Sequence, residues 1–218
     1  MLERLVSGGM LMIPLAACSI AMLAVLIERG LAFRNNGRID IRSLRAKILT
    51  LLGEDRLQEA MTVCASTPGP VSAVLLVGLQ AYEKTRIIDS SADTQRTLIQ
   101  KAMDDYTPVA LHACEMRLNW LATIANVAPL FGMTGTVTGM IRSFGALAGA
   151  GSLDAGVVGA GISEALVATA SGLVIALASL IPYNAFISKV EKINLDIGEA
   201  GSELVESISL SREKARKR

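Results

Sequence analysis

LNWLATIANVAPLFGMTGTVTGMI, residues 118–141, runs for its whole length without an Asp, Glu, Lys or Arg. A helix crosses a hydrocarbon core of roughly 30 Å with about 20 apolar residues, so this stretch is long enough to span a bilayer. Two more windows, Leu5–Ile27 and Ala165–Ser188, are equally free of charge. A buried helix of that length in a soluble protein normally carries a polar stripe, and none of the three windows does. The 218-residue chain is 51% hydrophobic, hardly above a soluble domain, so the clustering of apolar residues decides the class. The sequence reads as an all-α polytopic membrane protein with three transmembrane helices, over 1–27, 118–147 and 161–187.

The basic residues orient these spans. Residues 28–117 hold twelve of the 21 Lys and Arg, the tail from Lys189 to Arg218 holds seven, and the loop from Ala148 to Gly161 holds none. Lys and Arg in short flanking segments stay in the cytoplasm. The expected order is therefore an external N-terminus, a cytoplasmic helical domain over 28–117, a short external loop over 148–160, and a basic cytoplasmic tail helix over 188–218. The apolar run at the N-terminus continues for nine residues beyond the Leu15-Ala16-Ala17-Cys18 box. Signal-peptide cores are shorter, about 7–15 residues, so a retained span is expected.

Within 28–117, apolar residues recur at helical spacing from Ile41 to Ala65, broken at Gly53. Pro68-Gly69-Pro70 reads as a stop. Val71–Lys84 is apolar enough to pack but too short to cross. Ser91-Ala92-Asp93 supplies helix-start residues, and the only break signal before the second window is Pro108. One long helix, part cytoplasmic and part intramembrane, is expected there. The first helix is expected from Ser7 to Ile27 with a kink at Pro14.

The chemistry of most enzymes is excluded by content. His112 is the single histidine, and Cys18, Cys64 and Cys114 show no metal-ligand spacing, so neither a metal, a cofactor nor a catalytic triad is expected. The glycines between Gly145 and Gly161 lack the Gly-Lys-Ser/Thr that a phosphate loop requires. The informative residues are polar ones inside the spans: Asn126, Thr134, Thr136, Thr138 and Arg142 in the second, Glu164, Thr169 and Ser171 in the third. Intramembrane ionisable groups are costly and mark ion paths or buried pairs. Pro129, Gly132, Gly135, Gly139 and Gly172 are expected to serve helix packing, because small residues let membrane helices approach closely. Counting helical rise from Thr136 and Thr169 puts Arg142 and Glu164 at similar depth, as candidates for an ion pair.

LATIANVAPLFGMTGTVTGM at 121–140 closely resembles the second-span signature of the ExbB/TolQ/MotA proton-channel family. GISEALVATASGL at 161–173 resembles its third-span signature, glutamate included. Thr67-Pro68-Gly69-Pro70 with Gly78-Leu79 is similar to the ExbB branch. Two departures stand out: Ala178 takes the place of the family's usual proline, with Pro182 one turn later, and Thr134 stands where leucine is common. The resemblance implies a homo-oligomeric, pentameric ring in the bacterial inner membrane, with periplasmic N-terminus and 148–160 loop and long helices extending into the cytoplasm. It also implies a single-span partner of ExbD or TolR type inside the ring. On that pattern Thr136, Glu164 and Thr169 face the lumen, and proton flow through the ring is coupled to mechanical work. A flagellar stator subunit would have four spans. A passive membrane scaffold, sharing only the packing motifs, is the competing expectation, and a solute transporter would need more spans or an inverted repeat.

Overall fold

The computed structural model describes residues 9–36, 40–87, 92–150 and 155–216. Among the described residues there are seven helices: α1 (Met12–Asn36), α2 (Ile41–Gly53), α3 (Leu57–Ser66), α4 (Pro70–Ile87), α5 (Ala92–Glu115), α6 (Leu118–Ala150) and α7 (Ala155–Arg216). They divide into two units. One comprises residues 1–30 and 117–186, the other residues 31–116 and 187–218.

The first unit carries the three charge-poor helical segments. Helices α1, α6 and α7 are each long and apolar enough to cross a membrane. Their outward faces are lined by side chains that a soluble protein would hide, among them Ile13, Ile20, Leu130, Ile141, Leu166 and Ile181. Leu15 and Met22, two turns apart on α1, are buried. Glu28 is paired with Arg117 and with Arg29 (3.1 Å), which ties the end of the α1 apolar run to the start of α6.

Helices α6 and α7 run antiparallel along a seam of small residues. A Cβ on Gly172 would stand 2.6 Å from the Ala128 carbonyl oxygen. One on Gly132 would come within 3.0 Å of Thr169 Cα, and one on Gly135 or Gly139 within 2.8 Å of Ala168 or Ala165 Cβ. Ala128, Ala165 and Ala168 are fully buried there. Such backbone-to-backbone approach gives dispersion contact where lipid supplies no hydrophobic drive between helices.

Three expectations change. Pro14 does not kink α1, because the helix begins at Met12 and Pro14 falls in the first turn, where a missing N–H breaks no intrahelical bond. The long helix expected through the second window is instead interrupted by a turn at Met116-Arg117, where the Trp120 N–H bonds to the Arg117 carbonyl (3.3 Å). The turn lies where the charged segment meets the charge-free one, beside the Glu28–Arg117 pair. The continuous element is α7: the third span and the tail are one 62-residue helix that passes through Pro182. That is about 90 Å of helical rise, three times a hydrocarbon core. The expected 148–160 loop shrinks as well, since α6 ends at Ala150 and α7 starts at Ala155; residues 151–154 between them lie outside the described residues.

The second unit is a helical bundle with a conventional core. Leu44, Ile48, Leu79, Ile99, Met103 and Leu204 are among its buried members, contributed by α2, α4, α5 and the tail part of α7. Asp40 caps α2 by accepting the Arg42 N–H (3.0 Å). That helix ends in a paired return, Arg56 N–H to Leu51 O (2.9 Å) and Asp55 N–H to Leu52 O (3.1 Å). Asp55 takes the left-handed conformation (φ 58°) that glycine normally supplies in this motif. Gly78 allows α4 to close on its neighbours, because a Cβ there would meet Met103 Sδ at 2.6 Å and Leu204 Cδ2 at 3.0 Å. Arg45, largely buried, donates to Glu203 and Glu199 (both 2.9 Å) and so ties α2 to α7. These two carboxylates hold its guanidinium protonated even more firmly than usual.

Candidate functional site

The polar residues of the second and third spans form two clusters. In the first, Thr169 Oγ1 donates across the helix pair to the Gly132 carbonyl oxygen (2.8 Å). Gly132 lacks a side chain that would block this approach. The same carbonyl is the one that α-helical geometry offers to the Thr136 N–H, four residues on. Thr136 Oγ1 donates to the Met133 carbonyl (2.7 Å). Both hydroxyls thus spend their protons on backbone carbonyls and keep oxygen lone pairs that can accept a hydrogen bond from a visiting acid. Thr134 and Thr138 donate in the same way, to Leu130 O (2.8 Å) and Thr134 O (2.9 Å).

The second cluster is charged. Arg142 Nη1 lies 3.3 Å from Glu164 Oε1. The same carboxylate abuts Gly9, whose φ of 73° is in the left-handed region and whose missing Cβ leaves the space that Glu164 fills. The Gly9 carbonyl accepts the Met12 N–H (3.0 Å) and so starts the turn leading into α1.

The two clusters do not converge within one chain. Glu164 and Thr169 are five residues apart, hence about 140° apart around α7, and Thr136 and Arg142 are about 120° apart around α6. The hydroxyls stand on one flank of the glycine seam and the ion pair on the other. Reasoning from helical rise alone aligns depths but overlooks this rotation, which the same 3.6-residue period contains. The contribution of Gly9 is absent from the sequence signal altogether. Asn126 lies on the exposed face of α6, away from both clusters. Gly132, Gly135, Gly139 and Gly172 all lie in the seam, with Pro129 beside buried Ala128 inside α6.

The model of the MotA/TolQ/ExbB proton channel family matches residues 67–199, which contain the threonine hydroxyls, the Arg142–Glu164 pair and the seam. The chain belongs to this family. Among its relatives is the Tol-Pal system protein TolQ of Haemophilus influenzae, 28% identical over 194 residues that cover 87% of this chain and 83% of that protein. The biopolymer transport protein ExbB of Pseudomonas putida is 30% identical over 91% of this chain and 59% of its own length. The putative biopolymer transport protein ExbB-like 3 of a Synechocystis strain is 30% identical over 84% of this chain and 82% of that protein. Membership makes this a transmembrane protein of a proton-channel, energy-transducing family, a family of channel and motor subunits and not of enzymes. Three apolar helices together with these bacterial relatives point to the inner membrane.

Proposed function

We propose that the chain is the ring-forming subunit of a proton-driven motor of ExbB/TolQ type. Copies, five on the family pattern, surround a single-span ExbD- or TolR-like partner, with the N-terminus and the α6–α7 connection in the periplasm and the second unit in the cytoplasm. Thr136 and Thr169 line the lumen. Their lone pairs solvate the partner's carboxyl group and pass its proton without a fixed charge that would trap it. Glu164 enters the path about 7.5 Å further outward, paired with Arg142. One charge crossing 100 mV releases about 2.3 kcal/mol, enough to bias rotation between near-equivalent positions in a ring.

The observation that supports this reading is the pair of hydroxyls inside two apolar helices, Thr169 donating across the pair to the Gly132 carbonyl and Thr136 to the Met133 carbonyl one residue along. Packing alone asks for no hydroxyl there. The test is Thr136→Val with Thr169→Val in the full complex, reading partner-dependent proton uptake by energised vesicles alongside assembly. Loss of flux with assembly intact is the expected result, and normal flux overturns the reading. The Arg142–Glu164 contact also suits a scaffold with no conduction, in which the pair only holds helices together. In that case Glu164→Gln impairs assembly, and assembled complexes, wild type or variant, carry no partner-dependent proton flux.

A further inference from the structure

The Pro68-Gly69-Pro70 stop has no part in the proton path, yet it walls a cavity. Together with Val71 and Ser72 it lines a space of about 340 Å³ that is also lined by Phe33, Ile41 and Leu44 and, from α7, by Lys189, Lys192, Ile193 and Asp196. All of these belong to the second unit. We propose that this cavity binds the headgroup of an anionic phospholipid from the cytoplasmic leaflet.

The position along the chain fits a lipid. Phe33 lies on α1 only six residues beyond Ile27, the last residue of its charge-free window, and Lys189 is the first charged residue after the charge-free window of α7. Along the chain, both lining residues thus follow closely on the points at which charge-free windows end. The inference rests on the proposed topology for the leaflet, and on nothing in the proton path.

The lining fits an anion joined to something apolar. Lys189, Lys192, Ile193 and Asp196 follow a spacing of three, one and three residues, one stripe of a helix. Two lysines and one aspartate give the lining a formal net charge of +1. Lys189 Nζ lies 5.8 Å from the centre of the Phe33 ring, so the charge is held over an apolar wall. The cavity also meets the start of the 18-residue helix α4. Pro70 has no N–H there and the Ala73 N–H bonds to the Gly69 carbonyl (3.2 Å), so the Val71 and Ser72 N–H groups are the ones without an intrahelical acceptor, and the helix dipole favours a negative group. The turn that presents them depends on Gly69, with φ of 129°, and on the Ser72 hydroxyl, 2.6 Å from Thr67 O and 2.9 Å from Gly69 O. A cavity of this size holds a phosphate-bearing headgroup and leaves the acyl chains to the bilayer. Basic pockets at the cytoplasmic end of transmembrane helices recognise such headgroups.

The test uses the full-length chain in nanodiscs of mixed phosphatidylglycerol and phosphatidylcholine, with co-released lipid identified by native mass spectrometry. The wild type retains phosphatidylglycerol in preference, and Lys189→Gln with Lys192→Gln lowers that retention by about fivefold for each lysine removed. Asp196→Asn, which deletes the one opposing charge, raises it; this variant keeps the test decisive should the double variant misfold. Lys214→Gln with Lys217→Gln, in the basic end of the chain, leaves the preference unchanged. Equal retention of the two lipids, or loss of the preference in the Lys214/Lys217 pair and not in the Lys189/Lys192 pair, overturns the proposal. So does displacement of the lipid by millimolar glycerol phosphate, which would make the site one for soluble phosphates. A failure of proton flux with this lipid preference intact would count against the motor reading alone.

Discussion

Gly172 cannot carry a side chain while α6 and α7 stay where they are, because the added carbon would press on the Ala128 carbonyl. Gly145, with nothing within 4 Å of such a carbon, is the internal control. Gly172→Val should lower the melting temperature in detergent by the equivalent of about 1–3 kcal/mol or more, and Gly145→Val should leave it nearly unchanged. Equal effects would mean that the seam is not the contact that orders the helix pair. The Arg142–Glu164 pair calls for a double-mutant cycle: Arg142→Leu and Glu164→Gln should each harm assembly more than the two together, since removing one partner strands the other charge. Additive losses would reject the pair. Cys64 offers a simpler check. Burial pushes its thiol up to about 11, so the neutral form prevails below that pH and the thiolate fraction at pH 8 is about a hundredfold below that of the unfolded chain. Maleimide labelling of Cys64 at pH 8 should accordingly be slow in the native protein and fast in denaturant; equal rates would show that α3 is open. The residue types at the site are legible in the sequence, because hydroxyls, a glutamate and glycines are conspicuous in a charge-free run. Their division between two flanks is not, since it depends on which face of each helix meets the other.

At the level of elements, the spans are readable because a bilayer demands about 20 uncharged positions in a row. The ends of those spans are harder to read. Residues 145–161 look like a loop because glycine weakens helices in water, yet α6 reaches Ala150 and α7 begins at Ala155. Next to lipid, an unpaired backbone group has no water to turn to, and that penalty outweighs glycine's preference for coil. The break at Met116-Arg117 is invisible for the opposite reason: no glycine or proline marks it, and the Glu28–Arg117 contact beside it joins residues far apart in the chain. Helix α4 provides the test of packing in the second unit. Gly78→Val should force Met103 and Leu204 out of contact and lower the stability of the protein by about 1–3 kcal/mol, read by thermal melting. A neutral result would place α4 further from α5 than the Gly78–Met103 approach implies.

For the whole molecule, the three spanning helices among the described residues are too few to enclose a pore, while α6 and α7 expose apolar rows including Met133, Val137, Leu173 and Leu177 that neighbouring copies can cover. In the proposed ring the two flanks of the seam meet different neighbours, the hydroxyls on one and the ion pair on the other. The most direct measurement of the central claim is proton flux into proteoliposomes carrying the purified chain with its single-span partner, under an imposed membrane potential and read by an internal pH dye. The account predicts flux that requires both proteins and disappears with Thr136→Val and Thr169→Val in rings that still assemble. Undiminished flux in those rings, or assembled wild-type complexes that carry no protons, would contradict it.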